Sequence, residues 1–271
     1  MSAMPYDQYF IVRKFEKNDV TASTPSDSFN EYWNTPSDPD GVVRDRLNER
    51  QRDIENTSTE LAFVNQLKPG KILDVGCGPG SFLSAIGSQW KKFGLEVSRP
   101  AAQIAKQYGE ISTKTLEKSG YTDQYFDVIF CHHVIEHIED PVSFISELRR
   151  ILAHDGWLII ATPDFDNGCA RKFGKRYRLL KDETHISLFS RESFTRLLRD
   201  HGFFIRDMDF PYFDIRYFSA DNLLRMIDDD GEQLSPPFYG NLMTFYCNKM
   251  SKIQSEERIN HILQKHRENF E

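Results

Sequence analysis

Residues 71–82, KILDVGCGPGSF, constrain this chain more than any other stretch. Ile72, Leu73 and Val75 form an apolar run interrupted by Asp74, and glycines follow at every second position, Gly76, Gly78 and Gly80. Apolar residues resume at Phe82 and Leu83. The pattern predicts a buried strand, a tight turn and a helix start. Glycine is needed where the backbone turns sharply or approaches a ligand more closely than a Cβ permits. The turn is therefore expected to hold a ligand against bare main chain.

Strand and helix patterns alternate on either side of it. Strands are expected over Phe93–Val97, weakly over Glu110–Thr113, then over Phe126–Cys131 and Trp157–Ala161. Helices are expected over Ser81–Ser88, Pro100–Tyr108 and Pro141–Leu152, the last capped by Asp140 with Pro141 at its first position. His154, Asp155 and Gly156 read as the turn into the strand that follows. This alternation predicts an α/β fold: a parallel sheet with helices on both faces and right-handed crossovers. Asp127, at a strand start, reads as a structural acid.

Outside that span, residues 43–67 read as a helix with Leu61, Val64 and Leu67 on one side, stopped by Lys68-Pro69-Gly70. Downstream, Ser190 caps a helix over Arg191–His201 that ends at Gly202, and Phe203–Ile205 and Met243–Cys247 look like late strands. The domain plan is an N-terminal helical cap over 1–60, a main domain over 61–250 with an insertion near 164–190, and a charged helix over 251–271. The cap holds an aromatic cluster, Phe29, Tyr32 and Trp33, which suits either a helix anchor or a lid over a ligand.

Composition excludes several function classes. A net charge of −7 argues against a general nucleic-acid-binding surface. The four cysteines form no CxxC pair, so neither a zinc knuckle nor a disulfide framework is indicated. There is no basic-then-apolar leader and no apolar run of membrane-spanning length, and a cytoplasmic protein is expected.

Two ligands suit the glycine turn: a dinucleotide and S-adenosylmethionine. The dinucleotide fingerprint is GxGxxG, whereas the spacing here is GxGxG. Asp74 discriminates further. A carboxylate at the strand end would repel a pyrophosphate over the helix N-terminus but would favour the ammonium and sulfonium of S-adenosylmethionine. Glu96, twenty residues beyond Gly76, suits a carboxylate accepting both ribose hydroxyls in either case.

Four segments in order then carry a family likeness. LDVGCGPGSFL resembles motif I of the class I S-adenosylmethionine-dependent methyltransferases, and GLEVS resembles their second strand with its ribose-binding acid. YFDVIFCHHVIEHIEDP resembles the fourth strand and following loop, and RILAHDGWLIIATP the fifth-strand segment. The likeness covers roughly Leu61 to Phe210 and implies a Rossmann-like α/β fold, a seven-stranded, mostly parallel sheet with helices on both faces whose last strand is antiparallel, with Phe203–Phe210 and Leu242–Cys247 as strands six and seven. It implies S-adenosylmethionine as cofactor and S-adenosylhomocysteine as product. Asp74, Gly76, Cys77, Gly78 and Gly80 would surround the methionine part, and Glu96 with Val97 the ribose. Cys131 and His132 would line the methionine and sulfonium. Leu116 and Glu117 would stand near adenine, where many relatives place an Asp. Within the family the chain looks closest to quinone, sugar and natural-product methyltransferases. The expected acceptor is an O or N of a small molecule, a sugar or glycan precursor first and a quinone or polyketide second. A binding-only regulatory subunit is the rival from another class.

For the chemistry, His133, Glu136 and His137 would share one face if their loop is helical. Some quinone O-methyltransferases carry a Glu-x-x-Glu-His set suggested to hold a divalent metal. Because His133 replaces the first Glu here, a structural or acceptor-orienting role is favoured and no metal is expected. His185, in DETHISLFS, is a candidate base or a loop-fixing residue in equal measure. The basic residues Arg171, Lys172, Lys175, Arg176, Arg178 and Lys181 suggest contact with an anionic or carrier-linked acceptor.

Overall fold

The strand-forming apolar runs condense into one seven-stranded sheet. The structure, a computed structural model, describes residues 11–12, 49–210, 218–237 and 241–249, together with 260, 261 and 264. The aromatic cluster at 29–33 and most of the charged segment 251–271 lie outside the described residues. The sheet strands are β2 (Lys71–Val75), β3 (Lys91–Leu95), β4 (Glu110–Ser112), β5 (Phe126–His132), β6 (Leu152–Pro163), β8 (Phe203–Asp209) and β9 (Leu242–Lys249). Their order is β4-β3-β2-β5-β6-β9-β8, and β9 runs antiparallel to both its neighbours. A two-stranded sheet pairs β1 (Ile11–Val12) with β7 (Ser187–Leu188).

β2 lies between β3 and β5, which explains its nearly unbroken apolar sequence. Successive side chains of a strand face opposite ways. Ile72 joins Phe82, Val128, Phe130 and Ile159 in one cluster, while Leu73 and Val75 join Ile129, Ile160 and Phe245 in the other. Each face is closed by helices. On the first, Leu61 and Val64 of α2 (Ser58–Val64) pack beside Phe82 of α3 (Ser81–Ala85), whose ring stacks on Phe130 at 3.7 Å. On the second, α5 (Pro141–Ile151) buries Phe144, Ile145, Leu148 and Ile151, and α7 (Arg191–Asp200) buries Phe194, Leu197 and Leu198. Burying each of these apolar side chains contributes roughly 1.5–3 kcal/mol.

The local signals act as expected. The Asp140 side chain accepts from the Ser143 N–H at α5, and Ser190 with Ser193 forms a capping box at α7. Asp127 Oδ2 accepts from the Lys71 N–H at 2.7 Å, pinning the start of β2.

Two expectations are corrected. Residues 43–67 do not form one helix in the described part: α1 (Arg50–Asn56) and α2 are separated at Thr57, whose hydroxyl donates to the Asp53 and Ile54 carbonyls. Residues 154–156 are not a turn but part of β6, where Phe126 pairs with Leu152 and Val128 with Trp157. The extra residues are absorbed as a bulge.

Beyond β6 the chain builds a small subassembly. α6 (Gly168–Phe173), two 3₁₀ turns over Gly174–Arg176 and Arg178–Leu180, and α8 (Ala220–Ile227) enclose Cys169, Phe173 and Tyr177 against Leu223 and Met226. α4 (Arg99–Ala105) covers the sheet near β4. Among the described residues no helix is long and apolar enough to cross a membrane.

Candidate functional site

The site is built where β2, β3, β5 and β6 end. Gly76, Gly78 and Gly80 adopt φ of +74°, +52° and +82°, the left-handed region that glycine enters without penalty. A Cβ on Gly76 would lie 2.4 Å from Val134 Cγ2, and one on Gly80 would lie 3.1 Å from the Ala105 Cα of α4. Backbone conformation and space thus both demand glycine. From outside the turn, Glu96 fixes it. Glu96 Oε2 accepts from the Gly78 N–H at 2.9 Å and Oε1 from the Ser98 N–H at 2.8 Å. β3 ends at Leu95, so Glu96 stands just past the strand rather than within it.

Asp74 is 3% exposed, and its carboxylate meets no hydrogen-bond donor among the described residues. Burial, and then the Glu96 charge, hold its carboxyl well above the ordinary carboxylate range. Glu96 is likewise pushed up by burial, against the opposing pull of its two backbone N–H partners. Two buried acids beside a bare glycine turn form an electrostatically unfavourable arrangement. A cationic ligand would relieve it and a phosphate would aggravate it. The residues present therefore fit S-adenosylmethionine.

Other expected contacts are distributed differently. The Cys77 side chain packs on Leu83 and Ala105, which leaves its main chain for the turn. Cys131 is fully buried within the sheet-face cluster of Leu73 and Ile129, and burial pushes its thiol well up. Leu116 is buried in the same cluster, Glu117 is exposed on the turn Leu116–Lys118, and Val97 is half-buried. His132 stacks on Phe130 and meets the His133 ring edge-to-face at 4.2 Å. Burial pushes its imidazole well below the ordinary range.

The loop after β5 does not form the single helical face expected. His133 has φ +56°, and only Ile135–His137 makes a 3₁₀ turn. This geometry divides the three side chains around Glu136, which is fully buried. Its Oε1 lies 3.0 Å from His133 Nδ1, and its Oε2 accepts from the Thr162 hydroxyl at 3.1 Å. Burial alone would raise the Glu136 carboxyl. The His133 hydrogen bond and the neighbouring histidine charges override this and bring it to about 2. His137 turns the other way: its ring is 4.9 Å from that of His185, and its Nδ1 faces the Thr184 carbonyl at 3.0 Å. His185 is buried, with Nδ1 2.7 Å from the Leu179 carbonyl, a bond that ties the β7 segment to the 3₁₀ turn.

Sequence reasoning missed the partners that converge on these groups. Thr162 comes from β6, and Glu60 of α2 accepts from Thr244 of β9 at 2.9 Å. Neither has a local pattern, because both depend on pairing between segments remote in sequence. The basic segment is also redistributed. Arg171 makes a bidentate pair with Asp166, Arg176 does so with Asp229, and Lys172 Nζ donates to the Met226 carbonyl. At least three of the six charges thus serve the subassembly itself.

Known proteins resemble this chain in sequence and in fold. A family described as "Methyltransferase domain" matches residues 47–207. An uncharacterized protein of Methanocaldococcus jannaschii is 25% identical over 143 residues, covering 52% of this chain and 68% of the relative. The ubiquinone biosynthesis O-methyltransferase of Nitrosomonas europaea is 26% identical over 111 residues, covering 37% of this chain and 46% of that one. The chain spans about half the length of several O-methyltransferases it matches. A solved S-adenosylmethionine-dependent methyltransferase from Thermotoga maritima superposes with a TM-score of 0.53 at 23% identity, over 75% of this chain and 96% of that one.

Proposed function

The chain belongs to the methyltransferase-domain family, and we propose that it transfers a methyl group from S-adenosylmethionine to a hydroxyl oxygen of a small molecule, with His133 receiving the hydroxyl proton. The cofactor supplies an electrophilic methyl carried on a sulfonium. The chain supplies the cradle, the orientation and the base. Asp74 neutralises the ammonium, Gly76, Gly78 and Gly80 admit the methionine part against main chain, and Glu96 accepts from the ribose hydroxyls with lone pairs its N–H partners leave open.

The observation that carries the choice of oxygen is the 3.0 Å contact between His133 Nδ1 and the buried Glu136 carboxylate. A carboxylate at Nδ1 holds the proton on that nitrogen and leaves the lone pair on Nε2. It also steadies the imidazolium formed once the acceptor proton arrives. Since the His133 side chain is 31% exposed, the ring is within reach of an acceptor. A hydroxyl gains most from such a base, because its ordinary pKa lies far above neutrality. His185 is assigned to the loop rather than to the proton, since it is buried and bound to the Leu179 carbonyl.

The matched O-methyltransferases favour a phenolic hydroxyl over a sugar hydroxyl. The test is kinetic. His133→Asn should lower kcat/KM toward hydroxyl acceptors by about 10²–10⁴-fold while cofactor affinity is kept. A loss below about tenfold would remove the base. Cofactor binding with no turnover across phenols, sugars and amines would favour the regulatory reading.

A further inference from the structure

We propose that Glu136, His137 and His185 form a binding site for one divalent transition-metal ion of the zinc type. The three residues come from two segments far apart in sequence, the 3₁₀ turn after β5 and the stretch leading into β7. One ligand atom from each lies within 4.8 Å of the other two. The chain clamps these segments together through the Ile186 N–H donating to the Glu136 carbonyl at 2.9 Å and the Ser187 hydroxyl donating to the Ile138 carbonyl at 2.7 Å.

Tautomer control is the second part of the argument. His137 Nδ1 faces the Thr184 carbonyl at 3.0 Å and His185 Nδ1 faces the Leu179 carbonyl at 2.7 Å. A carbonyl accepts only from a protonated nitrogen, so each ring carries its proton on Nδ1 and its lone pair on Nε2. Backbone carbonyls behind ligating histidines are the usual way a protein sets ring orientation for a metal. His185 Nε2 lies 3.7 Å from Asp182 Oδ2, too far for a hydrogen bond. That carboxylate adds negative charge beside the group. Glu136 keeps lone pairs beyond those used by His133 and Thr162.

The donor set selects the ion. Two imidazoles with a carboxylate suit zinc and its borderline neighbours, whereas magnesium and calcium prefer oxygen alone. Metal–nitrogen bonds of about 2.0–2.1 Å require the cluster to contract by roughly an ångström, within the range of side-chain rotation. His133 is not a ligand in this arrangement; it contacts the same carboxylate from the other side. Both readings use the Glu136 carboxylate, but metal uptake is read without acceptor or turnover, so the failure of one is distinguishable from the failure of the other.

The experiment uses the full chain stripped with a chelator, titrated with Zn²⁺ against a chromophoric competitor and with Co²⁺ followed by visible absorption. Stoichiometric uptake with ligand-field bands is expected. Loss of a second-shell partner costs about 10–100-fold in affinity, so losing a ligand in His185→Asn or His137→Asn should cost at least roughly a hundredfold. His154→Gln, at an exposed histidine of β6, should bind as the parent does. Parental affinity in a folded His185→Asn protein would overturn the proposal. If the variants do not fold, the parent decides alone, and absence of stoichiometric Zn²⁺ or Co²⁺ uptake overturns it.

Discussion

Replacing Gly76 by alanine tests the central turn most directly. Gly76 has φ +74°, and an added Cβ would meet Val134 Cγ2 at 2.4 Å. Two independent costs follow. Placing alanine in the left-handed region costs about 1–2 kcal/mol. Forcing a methyl into occupied space costs about 1–3 kcal/mol more. The sum, about 2–5 kcal/mol, is a large fraction of a typical stability of roughly 5–15 kcal/mol. Val134 is half-buried and ends in the offending methyl, so Val134→Ala removes the steric part and leaves the backbone part. Urea unfolding of the parent, both single variants and the double variant gives the coupling energy. The reasoning requires the double variant to be more stable than additivity predicts by about 1–3 kcal/mol, while still carrying the conformational penalty. A coupling below about 0.5 kcal/mol, the ordinary scatter of additive pairs, would refute the steric account. S-adenosylmethionine affinity should fall in Gly76→Ala and recover only in part in the double variant, since the turn conformation is what the ligand meets.

Three further outcomes are expected. Asp74→Asn should weaken S-adenosylmethionine binding by at least about tenfold, or 1.4 kcal/mol, read by calorimetry; unchanged affinity would mean the ammonium is held elsewhere. The same acid sets a pH dependence. Because burial raises the folded-state pKa of Asp74 above its unfolded value, the native chain binds the extra proton, and apo stability falls as pH rises from the ordinary carboxylate range through the raised value. Asp74→Asn should flatten that fall in thermal melts, and an unaltered slope would locate the titration elsewhere. Reversing Arg171, Lys172 and Arg176 together should lower the melting temperature but leave the acceptor KM unchanged, because Asp166, the Met226 carbonyl and Asp229 already engage them; a raised KM would restore the anionic-acceptor expectation.

What the sequence determined by itself was whatever rests on neighbours along the chain. The three glycines announce positive φ because no other residue enters that region so readily, and all three adopt it. Asp140, Ser190 and Gly202 mark helix ends through bonds and dihedrals a few residues long, and the structure keeps each. Alternating apolar runs announce a sheet covered on both faces. The His133–Glu136 bond lay hidden in a motif already singled out, since a helical face was assumed where His133 enters the left-handed region. Tertiary structure alone decided the rest. The hydroxyl of Thr162 reaches Glu136 only because β5 pairs with β6. His185 meets His137 only because the β7 segment docks on the turn after β5, some fifty residues earlier. Arg171, Lys172 and Arg176 find partners just before α6, on α8 and just after α8. A charge specifies that a partner is needed but not which one, and the choice falls to whichever group the packed elements bring within hydrogen-bond reach. The glycine turn could therefore be read as a ligand cradle from its own twelve residues, while the groups gathered around Glu136 come together only once remote segments are folded.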